Sequence, residues 1–209
     1  MPRTTRIAAR TLSAVAVVAL GLSLGACSAE PEPPVEPAAS ESVAASPTPS
    51  PSPSPTELSP EDEAISKAEP AVRNYFRVAD ASLQDPKTFN PKRYEKVAIS
   101  SALLELQNLH YSIEVQELHQ VGGTKLDSIE NPKVDLTLKP KETPPSIPNV
   151  EFTVCYDVTN LDTVKKNGES IITPARKDRG VARIGVANYE YPDGPWLVAF
   201  VEYKKKQTC

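Results

Sequence analysis

Three cysteines, two histidines and a scatter of acids and tyrosines are the side chains of this sequence able to carry chemistry. A carboxylate base facing a tyrosine or a protonated acid in a dry cavity would serve proton-transfer isomerisation, and Asp80, Asp135, Asp157, Tyr75 and Tyr111 are the groups available. Asp157 falls on the same strand face as Glu151 and Cys155, opposite Phe152 and Val154, so it is expected to point away from the apolar interior. Asp80 falls at the end of an expected helix, where a solvated acid is the expectation. His110 and His119 have no carboxylate at a telling spacing and read as surface or element-end residues. There is no Gly-rich phosphate loop, no Gly-x-Ser-x-Gly elbow, no Ser-x-x-Lys motif and no His-Glu-x-x-His helix. The sequence therefore assigns no catalytic residue, no metal ligand and no cofactor.

The cysteines are more informative. Arg3, Arg6 and Arg10 precede an apolar run from Leu12 to Leu24, which is too short to span a bilayer comfortably and has the length of an export signal. It ends in Leu24-Gly25-Ala26-Cys27, which resembles the bacterial lipobox. That resemblance implies cleavage before Cys27 and a diacylglyceryl anchor on it; an ordinary secretory signal with a chance cysteine is the competing reading. Two acyl chains hold a protein on a membrane almost permanently, at ~0.8 kcal/mol per buried methylene. The expected location is the extracytoplasmic face of the cell membrane. Cys155 and Cys209 then remain in a compartment that permits disulfides. Pairing them would restrict the unfolded chain by roughly 4 kcal/mol on the chain-entropy model. A free nucleophilic or metal-binding thiol is the alternative, and no histidine or second cysteine lies at ligand spacing from either.

Loss of residues 1–26 removes three arginines and no acid, taking the formal charge from -4 to -7. Residues 28–59 hold five glutamates and no lysine or arginine, so 60–209 carry only -2. Nucleic-acid binding needs a basic footprint and is disfavoured. The same 28–59 stretch holds nine prolines, with Ser-Pro and Thr-Pro repeats from Ser46 to Thr56. Such a composition cannot bury a core and favours polyproline II. It reads as a stalk, reaching roughly 100 Å if fully extended.

One domain is expected over 60–209. Ser59-Pro60-Glu61-Asp62-Glu63 is a helix start, with a cap, proline at the first helical position and acids for the dipole. The apolar positions Ala64, Ile65, Ala68, Ala71, Val72, Tyr75, Phe76 and Ala79 predict one buried stripe on a helix running to about Asp80 or Leu83, kinked at Pro70. Asn90-Pro91 repeats the start signal for one or two short helices ending near His110. From about Ser112 strands are expected, with Gly122-Gly123, Asn131-Pro132 and Pro140 to Pro148 as breaks. Val150, Phe152, Val154, Tyr156 and Val158 share one strand face; Val181 to Tyr189 and Trp196 to Tyr203 form a hairpin about Pro192-Asp193-Gly194-Pro195. Helices followed by strands make the class α+β. Lys204-Lys205-Lys206 reads as a solvated strand end.

The stalk, the long helix with Tyr75 and Phe76, the Val154-Cys155-Tyr156-Asp157 strand, the Lys166-Asn167-Gly168 turn, the Trp196-Leu197-Val198 strand and the terminal Cys209 carry a family likeness. Together they resemble small lipoproteins of high-G+C Gram-positive bacteria with a cystatin-like or NTF2-like domain. The resemblance implies a curved antiparallel sheet wrapping the long helix into a cone, with Cys155 and Cys209 bridged. It does not imply an activity. Most such lipoproteins look like binding or accessory modules, while related cones serve as ketosteroid-isomerase-like enzymes, as stalk domains of cell-wall transpeptidases, and as phage exclusion lipoproteins. The expectation is a tethered module, monomeric or weakly dimeric, for a cell-envelope protein or small ligand, with Lys139 to Pro148 and Asn160 to Arg179 supplying adaptable contacts.

Overall fold

A computed structural model describes residues 58–209. Leu24, Gly25, Ala26 and Cys27, with nearly all of the stalk, lie outside the described residues. Helix α1 spans Pro60–Gln84; Ser59 caps it, its side chain accepting from the Asp62 backbone N–H at 3.1 Å. Pro70 lies inside α1, which continues through it. A 3₁₀ helix, Pro91–Lys96, is capped by Asn90 and leads into α2, Ser100–Val115. Helix α2 thus ends five residues beyond the expected stop at His110, and the strands begin at Leu118 rather than near Ser112. No proline or glycine follows His110 until Gly122, so nothing local stops the helix where the apolar spacing weakens.

Strands β1 (Leu118–Val121), β2 (Lys125–Asp135), β3 (Asn149–Asp157), β4 (Asp162–Lys165), β5 (Arg179–Ala187) and β6 (Leu197–Lys204) follow. The class is α+β: an antiparallel sheet in the order β2-β3-β5-β6, and a separate antiparallel pair β1-β4. Two expectations are corrected. Asn131-Pro132 is not a break but an irregularity within β2, where the register to β3 shifts between Glu130 and Lys133 and Asn131 takes φ 52°. A bulge absorbs the proline, which has no N–H to give the ladder. The Asn160 to Arg179 segment is not all loop, because it contains β4, which returns on itself through the Lys166-Asn167-Gly168 turn. Gly168, at φ 81°, provides the left-handed residue that this turn needs.

Period-two alternation sets the faces of the large sheet. Val150, Phe152 and Val154 are buried on one side together with Ala182, Ile184 and Val186 of β5 and Val198 of β6. Helix α1 lays Ala64, Ala68, Val72, Tyr75 and Phe76 into the same core, and α2 adds Ala102 and Leu106. Each fully buried Val, Ile or Phe contributes roughly 1.5–3 kcal/mol. The opposite face is charged. Arg183 bonds Glu151 at 3.1 Å and Glu202 at 3.0 Å and lies over the Phe200 ring. The Cys155–Cys209 disulfide joins β3 to the C-terminal tail, with Arg179 and Asp127 beside it.

A second group packs between α1, the 3₁₀ helix and α2. The rings of Phe89, Tyr94 and His110 lie 5.1 to 5.9 Å apart. His110 is therefore buried rather than a surface residue, at 5% exposure, because α2 continues past it and holds it against these aromatics. Its Nδ1 and the Tyr94 hydroxyl have no hydrogen-bond partner, and the nearby Ser82 hydroxyl donates to the Ala79 carbonyl at 2.7 Å. A buried hydroxyl without a partner bears its full desolvation cost. Tyr94→Phe is accordingly expected to leave stability unchanged or to raise it by up to about 1 kcal/mol in urea unfolding. A loss of that size would show that the hydroxyl is satisfied in solution, for instance by an internal water.

Candidate functional site

A cleft of about 390 Å³ opens between the C-terminal half of α1, one side of α2, and the β1-β4 pair with its connections. That volume lies within the ~300–1,000 Å³ range of small-molecule sites. Its walls are mainly apolar: Phe76 and Leu83 from α1, Leu106, Leu109 and Ile113 from α2, and Val158, Leu161 and Ile172 from the β side. The polar or amphipathic side chains among the lining are Tyr75, Asp80, Glu105, Gln120, Thr124, Thr163, Arg176 and Tyr203.

Asp80 organises one end. Gln120 Nε2 donates to its Oδ1 at 2.8 Å, the Thr124 backbone N–H to its Oδ2 at 2.8 Å, and the Thr124 hydroxyl to Oδ1 at 3.2 Å. Gln84, one turn further along α1, donates from Nε2 to the Gly122 carbonyl at 2.7 Å. The two residues clamp the corner between β1 and β2. Gly122 makes that corner possible, since it sits at φ 73° and a Cβ there would run into the Asn160 carbonyl. A carboxylate whose two oxygens accept three hydrogen bonds from the chain serves here as a structural anchor.

The tyrosines are neutral donors. Burial pushes the Tyr75 phenol well above its ordinary value, with Tyr203, Glu105 and Tyr94 adding to the effect. Tyr203, in edge contact with Tyr156 at 5.4 Å, is also raised, to about 12, first by desolvation, with Tyr156, Glu105 and Asp80 adding to the effect.

Of the proton-transfer candidates named from sequence, only Asp80 and Tyr75 meet in this cleft. Asp135 accepts from Thr137 and Asp157 from Thr159, which hold both carboxyls below their ordinary values, and Tyr111 projects from α2 at 67% exposure. The Asn160 to Arg179 segment does supply cleft residues, whereas Lys139 to Pro148 pairs with itself through Lys139 and Ser146 and lines none of the cleft. Sequence reasoning missed Gln120, Thr124 and Arg176. The signal available for Gln120 was its two-residue spacing from Leu118 in a short strand; Arg176, in a loop among Pro174 and Lys177, offered none.

Arg176 is the one cation of the cleft lining. Its Nη2 donates to the Val158 carbonyl at 2.9 Å and approaches Asp178 Oδ1 at 3.7 Å, while Nε is buried without a partner. Arg176, Leu161 and Ile172 also wall a second, polar cavity of about 330 Å³ shared with Thr159, Asp162, Ser170 and Asp178. Among the described residues no group of three or more His, Cys, Asp or Glu side chains is placed to hold a metal, and no helix is long and apolar enough to cross a membrane.

No family model matches this chain, and no curated protein matches it. Among solved structures, the intermembrane-space region of the chloroplast protein ARC6 is similar at a TM-score of 0.42 and 11% identity, over 70% of this chain and 97% of that one. A protein from Catenulispora acidiphila is similar at a TM-score of 0.31 and 13% identity, over 68% of this chain and 93% of that one. Likeness at these scores carries neither a fold assignment nor a function.

The Asp80 clamp makes a direct test of the cleft's construction. Asp80→Ala leaves the Thr124 N–H without its acceptor and Gln120 with only the Gly122 carbonyl at 3.2 Å, and is expected to cost about 1–3 kcal/mol in denaturant unfolding. It should also speed amide exchange at Thr124.

Proposed function

We propose that this protein is a lipid-anchored binding module on the extracytoplasmic face of the cell membrane, with the cleft between α1, α2 and the β1-β4 pair as its ligand site. The observation that carries this reading is the cleft itself: apolar walls, polar groups of which Asp80, Gln120, Thr124 and Arg176 are held by hydrogen bonds, and a volume of about 390 Å³. The Leu24-Gly25-Ala26-Cys27 sequence supports the anchor, and the proline-rich stretch after it supports a stalk. A cystatin-like or NTF2-like cone is the finer fold we propose. In its favour, one long helix lies along a single face of a four-stranded antiparallel sheet whose ladders are irregular in β2 and between β5 and β6, and such bulges curve a sheet.

Binding is preferred to catalysis because Asp80, one of the two carboxylates lining the cleft, is committed to Gln120 and Thr124, and the other, Glu105, lies exposed on α2. The module is taken as a monomer, or a weak dimer through the sheet, since the charged outer face offers little apolar area for a stable interface.

Two experiments test the two halves of this reading. Cys27→Ala is expected to release the protein from the membrane fraction into the medium; unchanged retention and mobility would remove the anchor. For the cleft, the neutral dye N-phenyl-1-naphthylamine should brighten on binding. Leu109→Trp, at a half-exposed wall position, should weaken the dye by about fivefold or more through lost volume. Equal binding by the variant would place the dye elsewhere.

A further inference from the structure

Three charged side chains line the cleft, and they are not equivalent. Asp80 is bonded on both oxygens by Gln120 and Thr124. Glu105 is exposed on α2 and faces water at the rim. Arg176 is the one cation of the three, and it keeps unspent donors: a guanidinium carries five N–H donors, and the chain uses Nη2 on the Val158 carbonyl and a loose approach to Asp178 at 3.7 Å. Its Nε is sealed from solvent with no acceptor, a state that costs free energy until an acceptor arrives.

We infer that the cleft takes an acidic amphipath, an apolar chain or ring system ended by a single carboxylate, with the carboxylate on Arg176 and the apolar body against Leu106, Leu109, Ile113 and Ile172. This rests on the ligand-site reading above. The placement follows from where Arg176 lies, at the wall that the apolar cleft shares with the polar cavity of Thr159, Asp162 and Ser170. The tail stays in the dry volume while the head meets the guanidinium at the polar boundary. A carboxylate matches the planar fork of arginine. It meets the part of the guanidinium that stays exposed, the side chain being 26% open. A single negative charge is what the surroundings accept, because Asp178 already sits beside Arg176 and Asp80 and Glu105 line the same cleft. A phosphate dianion would face three carboxylates with one cation to offset it.

The test uses the chain from residue 27 onward carrying Cys27→Ala, with dodecanoate, dodecanol and dodecyltrimethylammonium as probes of one tail and three heads, each below its self-association concentration. Titration calorimetry at neutral pH is expected to rank dodecanoate first and the ammonium last. Arg176→Gln should weaken dodecanoate by about tenfold, as loss of a charge-assisted pair would, and dodecanol by about twofold at most, the difference between the two heads separating loss of the ion pair from damage to the cleft. Arg176→Lys should fall between, since it keeps the charge and loses the fork. Dodecanoate binding equally to wild type and Arg176→Gln, or no more tightly than dodecanol, would overturn the assignment while leaving the cleft as a site. Failure of all three probes would overturn the ligand-site reading itself.

Discussion

The packing of α1 against the apolar face of the large sheet is the constraint on which the rest depends. The N-terminal half of that contact is made by small side chains: Ala64 and Ala68 are exposed at only 2% and 0%, facing a core that includes Ala182 and Val186. Short side chains let the helix approach closely and leave no room for a guest. The C-terminal half carries Tyr75 and Phe76, whose rings meet edge to face at 5.4 Å. Larger side chains need more space between the layers, and the cleft begins at those two residues and follows α1 to Leu83. One helix thus builds a solid core at one end and a lined opening at the other. Enlarging an alanine at the close end, as in Ala68→Leu, would force the layers apart, and such overpacking typically costs 1–3 kcal/mol.

The opening would be a defect if its far wall were not fixed. That wall is the β1-β4 pair, which has no ladder to the large sheet. It is held by side chains: Asp80 and Gln84 from the last turns of α1 bond Gln120, Gly122 and Thr124, and the Ile113–Leu118–Leu83 cluster packs beneath. Hydrogen bonds to a charged acceptor contribute about 1.5–3 kcal/mol, twice the neutral value or more. A carboxylate at the end of α1 therefore serves as a bolt between two parts of the molecule, a role that its position in the sequence disguises as a solvated helix end.

That disguise illustrates what was legible. The Ser59-Pro60 start, the stripe of α1, the alternation of β3 and the Pro192 to Pro195 hairpin were all readable, because each is governed by neighbours within a few residues. The Cys155–Cys209 bridge was readable from compartment and count. What escaped was set by partners far away in sequence. Asp80 meets Thr124 forty-four positions on, and Arg176 reaches Val158 across a segment that reads as loop. Asn131-Pro132 looked like a break because proline removes a ladder donor, and only the register of β2 against β3 shows that a bulge accommodates it. His110 looked superficial because nothing local shows that Phe89 and Tyr94 close over it.

The charges divide in the same way between the two faces of the sheet. On the outer face the cations are met: Arg183 has Glu151 and Glu202, Arg179 and Lys125 have Asp127, and Lys204 has Glu202. Exposed pairs of this kind add little stability, at most about 1 kcal/mol each, but they leave that face with hydrated charges on every strand and a high cost for burying it against a partner. On the cleft side the reverse holds. Apolar surface is left open, Asp80 is spent on architecture, and Arg176 retains donors that the chain does not use. If the cleft is a ligand site, as proposed above, a buried donor left unpaired penalises the wrong ligand more than an extra methylene rewards the right one, which gives Arg176 its weight in the choice.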